Sequence, residues 1–170
     1  NLANTCYINS VVQQLVNNPA FVAALLAEDA KACSKRIGVA LEDTITFRLQ
    51  QLVIMLQASP FTLVKPAQFV DCLRGADGQK VNPSVQMDAN EFYLTLLTNL
   101  REESATVSDN TSSSEVVSWV DAFAPDLMTL LKPYGCSHSR TKKEIEWTLG
   151  LDVNSDKVTE SMQRYFAVEN

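Results

Sequence analysis

Two short stretches hold residues whose types and spacing could do chemistry. The first is Asn1-Leu2-Ala3-Asn4-Thr5-Cys6-Tyr7-Ile8-Asn9-Ser10, and the second is Gln86-Met87-Asp88-Ala89-Asn90-Glu91-Phe92. In the first, a polar turn runs straight into a helical pattern. Ile8, Val11, Val12, Leu15 and Val16 repeat as one apolar stripe of an α-helix. Asn4 or Thr5 supplies the N-cap. Cys6 therefore falls in or just before the first helical turn, where unpaired N–H groups and the positive end of the helix dipole favour a thiolate, the nucleophilic form of cysteine. The side-chain amide of Asn1 could fold back and donate to an oxyanion formed beside Cys6. A lone cysteine is more often a small buried hydrophobe, so Cys6 alone does not define a site.

In the second stretch, Asp88 and Glu91 stand at the spacing of a capping box, although that box prefers Ser or Thr first. Ala89, Phe92, Leu96, Leu97 and Leu100 then continue as the apolar face of a helix. Taken by itself, Asp88 is a helix-start carboxylate.

Together the two stretches resemble the cysteine box and the second box of the ubiquitin-specific proteases, a papain-like family of deubiquitinating enzymes. The family patterns read Asn-Leu-Gly-Asn-Thr-Cys-Tyr-Met-Asn-Ser and Gln-Gln-Asp-Ala-His-Glu-Phe. The chain departs from them at Ala3 (Gly in the family), Ile8 (Met), Met87 (Gln) and Asn90 (His). Ala3 matters most, because glycine in a turn adopts backbone angles that alanine resists. The resemblance implies a nucleophilic Cys6, an oxyanion donor at Asn1, and substrate-binding positions at Asp88 and Gln86 that hold the extended tail of ubiquitin. Such a tail offers N–H groups and arginines, which a fixed carboxylate in a narrow groove satisfies with charge-assisted bonds.

The elements that must position these residues are mostly helical at first. We expect helices over about 5–17, 19–30, 41–58 and 64–73, with Asn18-Pro19 opening the second, and a basic Gly-containing connection over 31–40. Residues 76–85 are expected to form a loop. A Ser/Thr-rich stretch, 106–118, reads as a flexible insertion, the shift in composition beginning at Arg101. Residues 119–131 fit no single pattern. From Glu144 to Val153, Ile145, Trp147, Leu149, Leu151 and Val153 alternate as in a half-buried strand. Asn154 and Ser155 then offer caps for a last helix with Val158, Met162, Tyr165 and Phe166 on one side.

The expected fold class is α+β. By resemblance it is a papain-like cysteine protease fold, with a helical thumb-like subdomain over 1–105, the insertion over 106–118, and the start of a β-containing fingers subdomain over 119–170. The chain has 170 residues, 46% hydrophobic and 20% charged, enough for a packed core. A net charge of −6 gives no footprint for nucleic acid. No apolar run approaches the roughly 20 residues that cross a bilayer as a helix. Four cysteines lie far apart, which suggests a reducing compartment, and cytoplasm or nucleus is expected.

No cofactor is expected. Family members often hold zinc through paired C-x-x-C motifs, but Cys136-Ser137-His138 has no cysteine at Ser139, so no metal site is assigned. A cysteine protease also needs a base and a group that orients it. The one histidine, His138, lies in surroundings unlike the family's histidine box. The chain opens inside its strongest motif, so we expect part of a longer protein, with the base supplied elsewhere and the piece alone inactive. The expected function is thiol-dependent cleavage after the C-terminal glycine of ubiquitin, with ubiquitin or ubiquitinated proteins as partners. The alternative is a non-catalytic ubiquitin-binding or scaffolding module of the same fold.

Overall fold

The first helix, α1, runs from Cys6 to Val16, as the apolar stripe predicts. It turns Tyr7, Ile8, Val11, Val12 and Leu15 into the core. Helix α2 follows over Pro19–Ala27, opened by Asn18, whose side chain accepts the N–H groups of Ala20 and Phe21 at 3.1 and 3.3 Å. The structure, a computed structural model, describes residues 3–60, 63–75, 77–108, 115–124, 126–135, 137–154 and 156–167. Asn1 and Cys136 lie outside these residues.

The expected basic connection over 31–40 is instead a helix, α3, over Ala30–Ile37, and α2 ends three residues earlier than the periodicity suggests. The Asp29 carboxylate caps α3 by accepting the N–H groups of Lys31 and Ala32 at 2.9 and 3.2 Å. Gly38 closes it at φ 70°, a conformation open to glycine. Lys35 and Arg36 sit in the last turn, where the dipole favours cations. Only Ala30 and Cys33 are buried, too narrow a stripe to announce a helix.

Residues Leu41–Asp43 form one turn of 3-10 helix, and α4 itself begins later than expected, over Ile45–Ala58. Thr44 breaks the run because its side chain caps the N–H of Phe47. Helix α5 covers Ala67–Cys72 and α6 covers Ala89–Ser104. Helix α6 packs on α1, α3 and α4, and its Phe92, Leu96, Leu97 and Leu100 are almost fully buried. Its last turn corrects the composition-based reading of 101–104 as the start of a flexible insertion. Glu103 and Ser104 are buried there. The Glu103 carboxylate accepts the N–H groups of Ile45 and Thr46 at 2.7 and 2.8 Å, closing the open start of α4. Its backbone carbonyl accepts Arg36.

After α6, strand β1 (Thr106–Ser108) pairs antiparallel with β2 (Glu115–Val117). The first compact unit runs through to Phe123. A 3-10 turn over Trp119–Phe123 returns to α2, with the Trp119 and Phe123 rings each 5.5 Å from Phe21, edge to face. Arg101 holds this turn through Asp121, Nε to Oδ1 at 2.6 Å, while the Ser118 N–H donates to Asp121 Oδ2 at 2.9 Å.

The second unit spans Ala124–Asn170. Strand β3 (Asp126–Leu131) pairs antiparallel with β4 (Arg140–Ile145), Asp126 opposite Ile145 and Leu131 opposite Arg140. The expected strand over 144–153 is therefore displaced: pairing stops at Ile145, and Trp147, Leu149, Leu151 and Val153 follow it with no partner strand among the described residues. Helix α7 (Val158–Tyr165) has Lys157 as its N-cap residue, with no side-chain cap bond, in place of the expected Asn154 or Ser155. The Arg164 guanidinium reaches Asp152, Nη2 to Oδ1 at 2.7 Å, and that contact holds the Asp152 carboxyl below the usual carboxylate range. The architecture is α+β, with its apolar core in the helical unit.

Among the described residues no single helix is long and apolar enough to cross a membrane. The bent pair α1–α2 has the composition, but its apolar side chains fill the core.

Candidate active site

Helices α1 and α6 lie against each other, and both begin at the same open cleft. The cleft, about 580 Å³, is lined by Cys6, Tyr7 and Ser10 from α1 and by Gln86, Met87, Asp88 and Ala89 from the approach to α6. Three of the four residues singled out in the sequence, Cys6, Asp88 and Gln86, thus meet on one surface. The fourth, Asn1, lies outside the described residues.

Cys6 is the first residue of α1, exposed and not in a disulfide. Thr5, the N-cap residue, makes no side-chain cap bond. The helix therefore presents first-turn N–H groups and its positive end on the side of the cleft that Cys6 lines, a field that suits an anionic group of a bound ligand. Ser10 donates from Oγ to the Cys6 carbonyl at 2.8 Å, a bond within the helix.

Tyr7 explains how the thiol is held. Its ring is 4% exposed and meets Phe92 of α6 edge to face, 5.4 Å between centroids at 77°. The residue next to Cys6 is thus anchored on the helix that Asp88 caps. Burial, and after it the neighbouring Cys6, pushes the Tyr7 phenol above its ordinary value, so Tyr7 stays neutral. Its hydroxyl is buried without a hydrogen-bond partner among the described residues. The sequence reading passed over Tyr7 because it sits off the main stripe; its signal was an aromatic directly after the cysteine.

Asp88 is the N-cap of α6. Its Oδ1 accepts the N–H groups of Asn90 and Glu91 at 2.7 and 3.1 Å. The capping role read from the spacing is present, but the reciprocal capping box is not: the bonds come from one carboxylate. Among the described residues Oδ2 has no hydrogen-bond partner, so half of the carboxylate remains to face a ligand. Ala3 adopts φ 60°, the left-handed region, at the position where the family pattern has glycine.

Among the described residues no three His, Cys, Asp or Glu side chains come together as metal ligands. His138 belongs to the second unit.

An exposed cysteine at a helix start and a capping aspartate thus line one cleft. A family model described as ubiquitin carboxyl-terminal hydrolase matches residues 1–164. The chain is 30% identical over 106 residues to human ubiquitin carboxyl-terminal hydrolase 35, a match covering 62% of this chain and 9% of that protein. The chain belongs to the ubiquitin carboxyl-terminal hydrolase family, whose members are deubiquitinating thiol peptidases, and membership implies the papain-like fold.

Proposed function

We propose that this chain supplies the nucleophile and one wall of the substrate channel of a thiol-dependent deubiquitinase. The Cys6 thiolate attacks the carbonyl of ubiquitin's C-terminal glycine. A bond forms from Sγ to that carbon, and the resulting oxyanion takes hydrogen bonds from Asn1 and from the start of α1. The C–N bond to the substrate amine then breaks, and the amine leaves with the proton the base had taken. Water hydrolyses the thioester and frees the thiol. Asp88 Oδ2 and Gln86 hold the extended tail. The base comes from sequence outside these 170 residues.

The observation that carries this reading is the shared cleft: two motifs far apart in the chain place Cys6 beside Gln86 and Asp88. The test is capture of ubiquitin bearing a C-terminal thiol-reactive group by the full protein. An adduct mapped to Cys6 and lost in Cys6→Ala supports the reading.

The second reading is a ubiquitin-binding module without catalysis. It is favoured by Ala3, whose φ of 60° strains the turn that leads to the nucleophile. Reversible ubiquitin binding with no adduct would select it.

A further inference from the structure

One residue of the cysteine turn is bound to the opposite side of the cleft. The Asn4 backbone N–H donates to the Pro83 carbonyl at 2.9 Å, and its side-chain Nδ2 donates to the Ser84 carbonyl at 2.7 Å. The two acceptors are adjacent, so main chain and side chain grip the loop as a pincer. That loop runs directly on to Gln86 and Asp88. It is shaped to be gripped: Asn82 Oδ1 accepts the Ser84 N–H at 3.0 Å, and the Val85 N–H donates to the Asn82 carbonyl, also at 3.0 Å. The turn therefore presents the Pro83 and Ser84 carbonyls outward.

Asn4 is exposed, so it fills no space in the core. On its other side stands Ala3 at φ 60°, a backbone conformation that an L-residue holds only when its surroundings impose it. The pincer lies one residue away. Two residues further on is Cys6. Asn4 thus straps the turn before Cys6 to the loop that leads to Gln86 and Asp88, in addition to the packing of Tyr7 on Phe92.

We propose that Asn4 is a positioning residue that sets the gap between Cys6 and the Gln86–Asp88 wall, and so the fit of the ubiquitin tail. This rests on the deubiquitinase reading above. Cys6 itself is carried by α1, which Tyr7 anchors on Phe92 independently of Asn4. Loss of the strap should therefore spare the thiol and loosen the loop that leads to Gln86 and Asp88.

The experiment uses the full protein, with a fluorogenic ester or amide of the ubiquitin C-terminus, and with iodoacetamide as a probe that needs only the thiol. Asn4→Ala keeps the backbone bond and loses the side-chain bond. It should raise KM about tenfold, the upper range for one hydrogen bond, with kcat changed less than about twofold. Asn4→Asp, which turns the donor into an acceptor facing a carbonyl, should do worse. Alkylation of Cys6 by iodoacetamide should be unchanged in both. In an Asp88→Ala background, Asn4→Ala should cost much less than alone, because the strap then holds a wall with little left to position.

Wild-type KM in both variants would overturn the inference. So would a parallel fall in alkylation, substrate turnover and melting temperature, which marks a general structural role, or full additivity with Asp88→Ala. A wild-type protein that neither cleaves nor captures ubiquitin would overturn the functional reading itself, and with it this inference. That failure is told apart because it occurs with Asn4 intact.

Discussion

Cys6 is exposed at a helix start, whereas Cys33 is wholly buried and its Sγ donates to Glu28 Oε1 at 3.2 Å. Burial first, and then that hydrogen bond, pushes the Cys33 thiol up to about 12. Burial also raises Cys72. A raised thiol favours the neutral form in the folded state. Its contribution to stability is therefore complete below the ordinary thiol range and fades only as pH climbs toward the folded value. At pH 8 iodoacetamide should thus modify Cys6 well before Cys33 or Cys72, as read by peptide mapping against time. Equal rates would mean that burial does not protect the inner thiols. Ala3 makes a second prediction at this scale. Ala3→Gly relieves the left-handed strain at φ 60° and should raise stability by roughly 0.5–1 kcal/mol in urea unfolding, after the greater freedom of glycine in the unfolded chain is subtracted. A loss of stability would show that the turn is not strained.

Among the elements, α4 depends on a residue from elsewhere. Glu103 closes two N–H groups at its start from a buried position. Glu103→Ala should cost about 2–4 kcal/mol, since two bonds to a charged group are lost and two buried donors are orphaned. Glu103→Gln should cost less, because its amide oxygen still accepts. Chemical denaturation of the three proteins decides this. Glu103 also marks what the sequence left hidden. The helices α1 and α6 were legible because their apolar stripes are wide and polar residues mark their starts, Thr5 before Cys6 and Asp88 before Ala89. Helix α3 was not, since two buried residues make no visible stripe and its stability comes from the Asp29 cap and the Gly38 stop. The strand over 144–153 misled for the opposite reason: alternation was present, but a strand needs a partner, and β3 reaches only to Ile145. The candidate site was legible as residue types. The Asn4 strap was not, because it joins a backbone N–H and a side-chain amide to the carbonyls of Pro83 and Ser84, and carbonyls leave no mark in a sequence.

At the scale of the whole molecule, the buried apolar side chains of the described residues all belong to the unit that ends at Phe123. In the second unit the only buried one of the described residues is Ser161, while Met128, Leu130, Val153 and Phe166 are each more than half exposed. A two-stranded hairpin and a short helix are marginal in water without a core. Hydrogen exchange of the 170-residue chain should therefore show strong protection in α1, α4 and α6 and little in β3, β4 and α7. Comparable protection in both units would show that the second has a core of its own. The Asp152–Arg164 contact does not change this. Its folded carboxyl is lowered, so its contribution is present above the ordinary carboxylate range and lost as pH falls below it, and it is exposed.

We propose Cys6 as the nucleophile of a cleft whose far wall, at Asp88, holds the tail of ubiquitin. The most direct measurement incubates the full protein with ubiquitin bearing a C-terminal thiol-reactive group and maps the adduct. Asp88→Asn is the informative variant, because asparagine still caps α6 but carries no charge. The account predicts an adduct on Cys6, none in Cys6→Ala, and capture slowed about tenfold or more in Asp88→Asn at unchanged melting temperature. A Cys6 that iodoacetamide still alkylates but that never captures ubiquitin, or capture indifferent to Asp88→Asn, would contradict it.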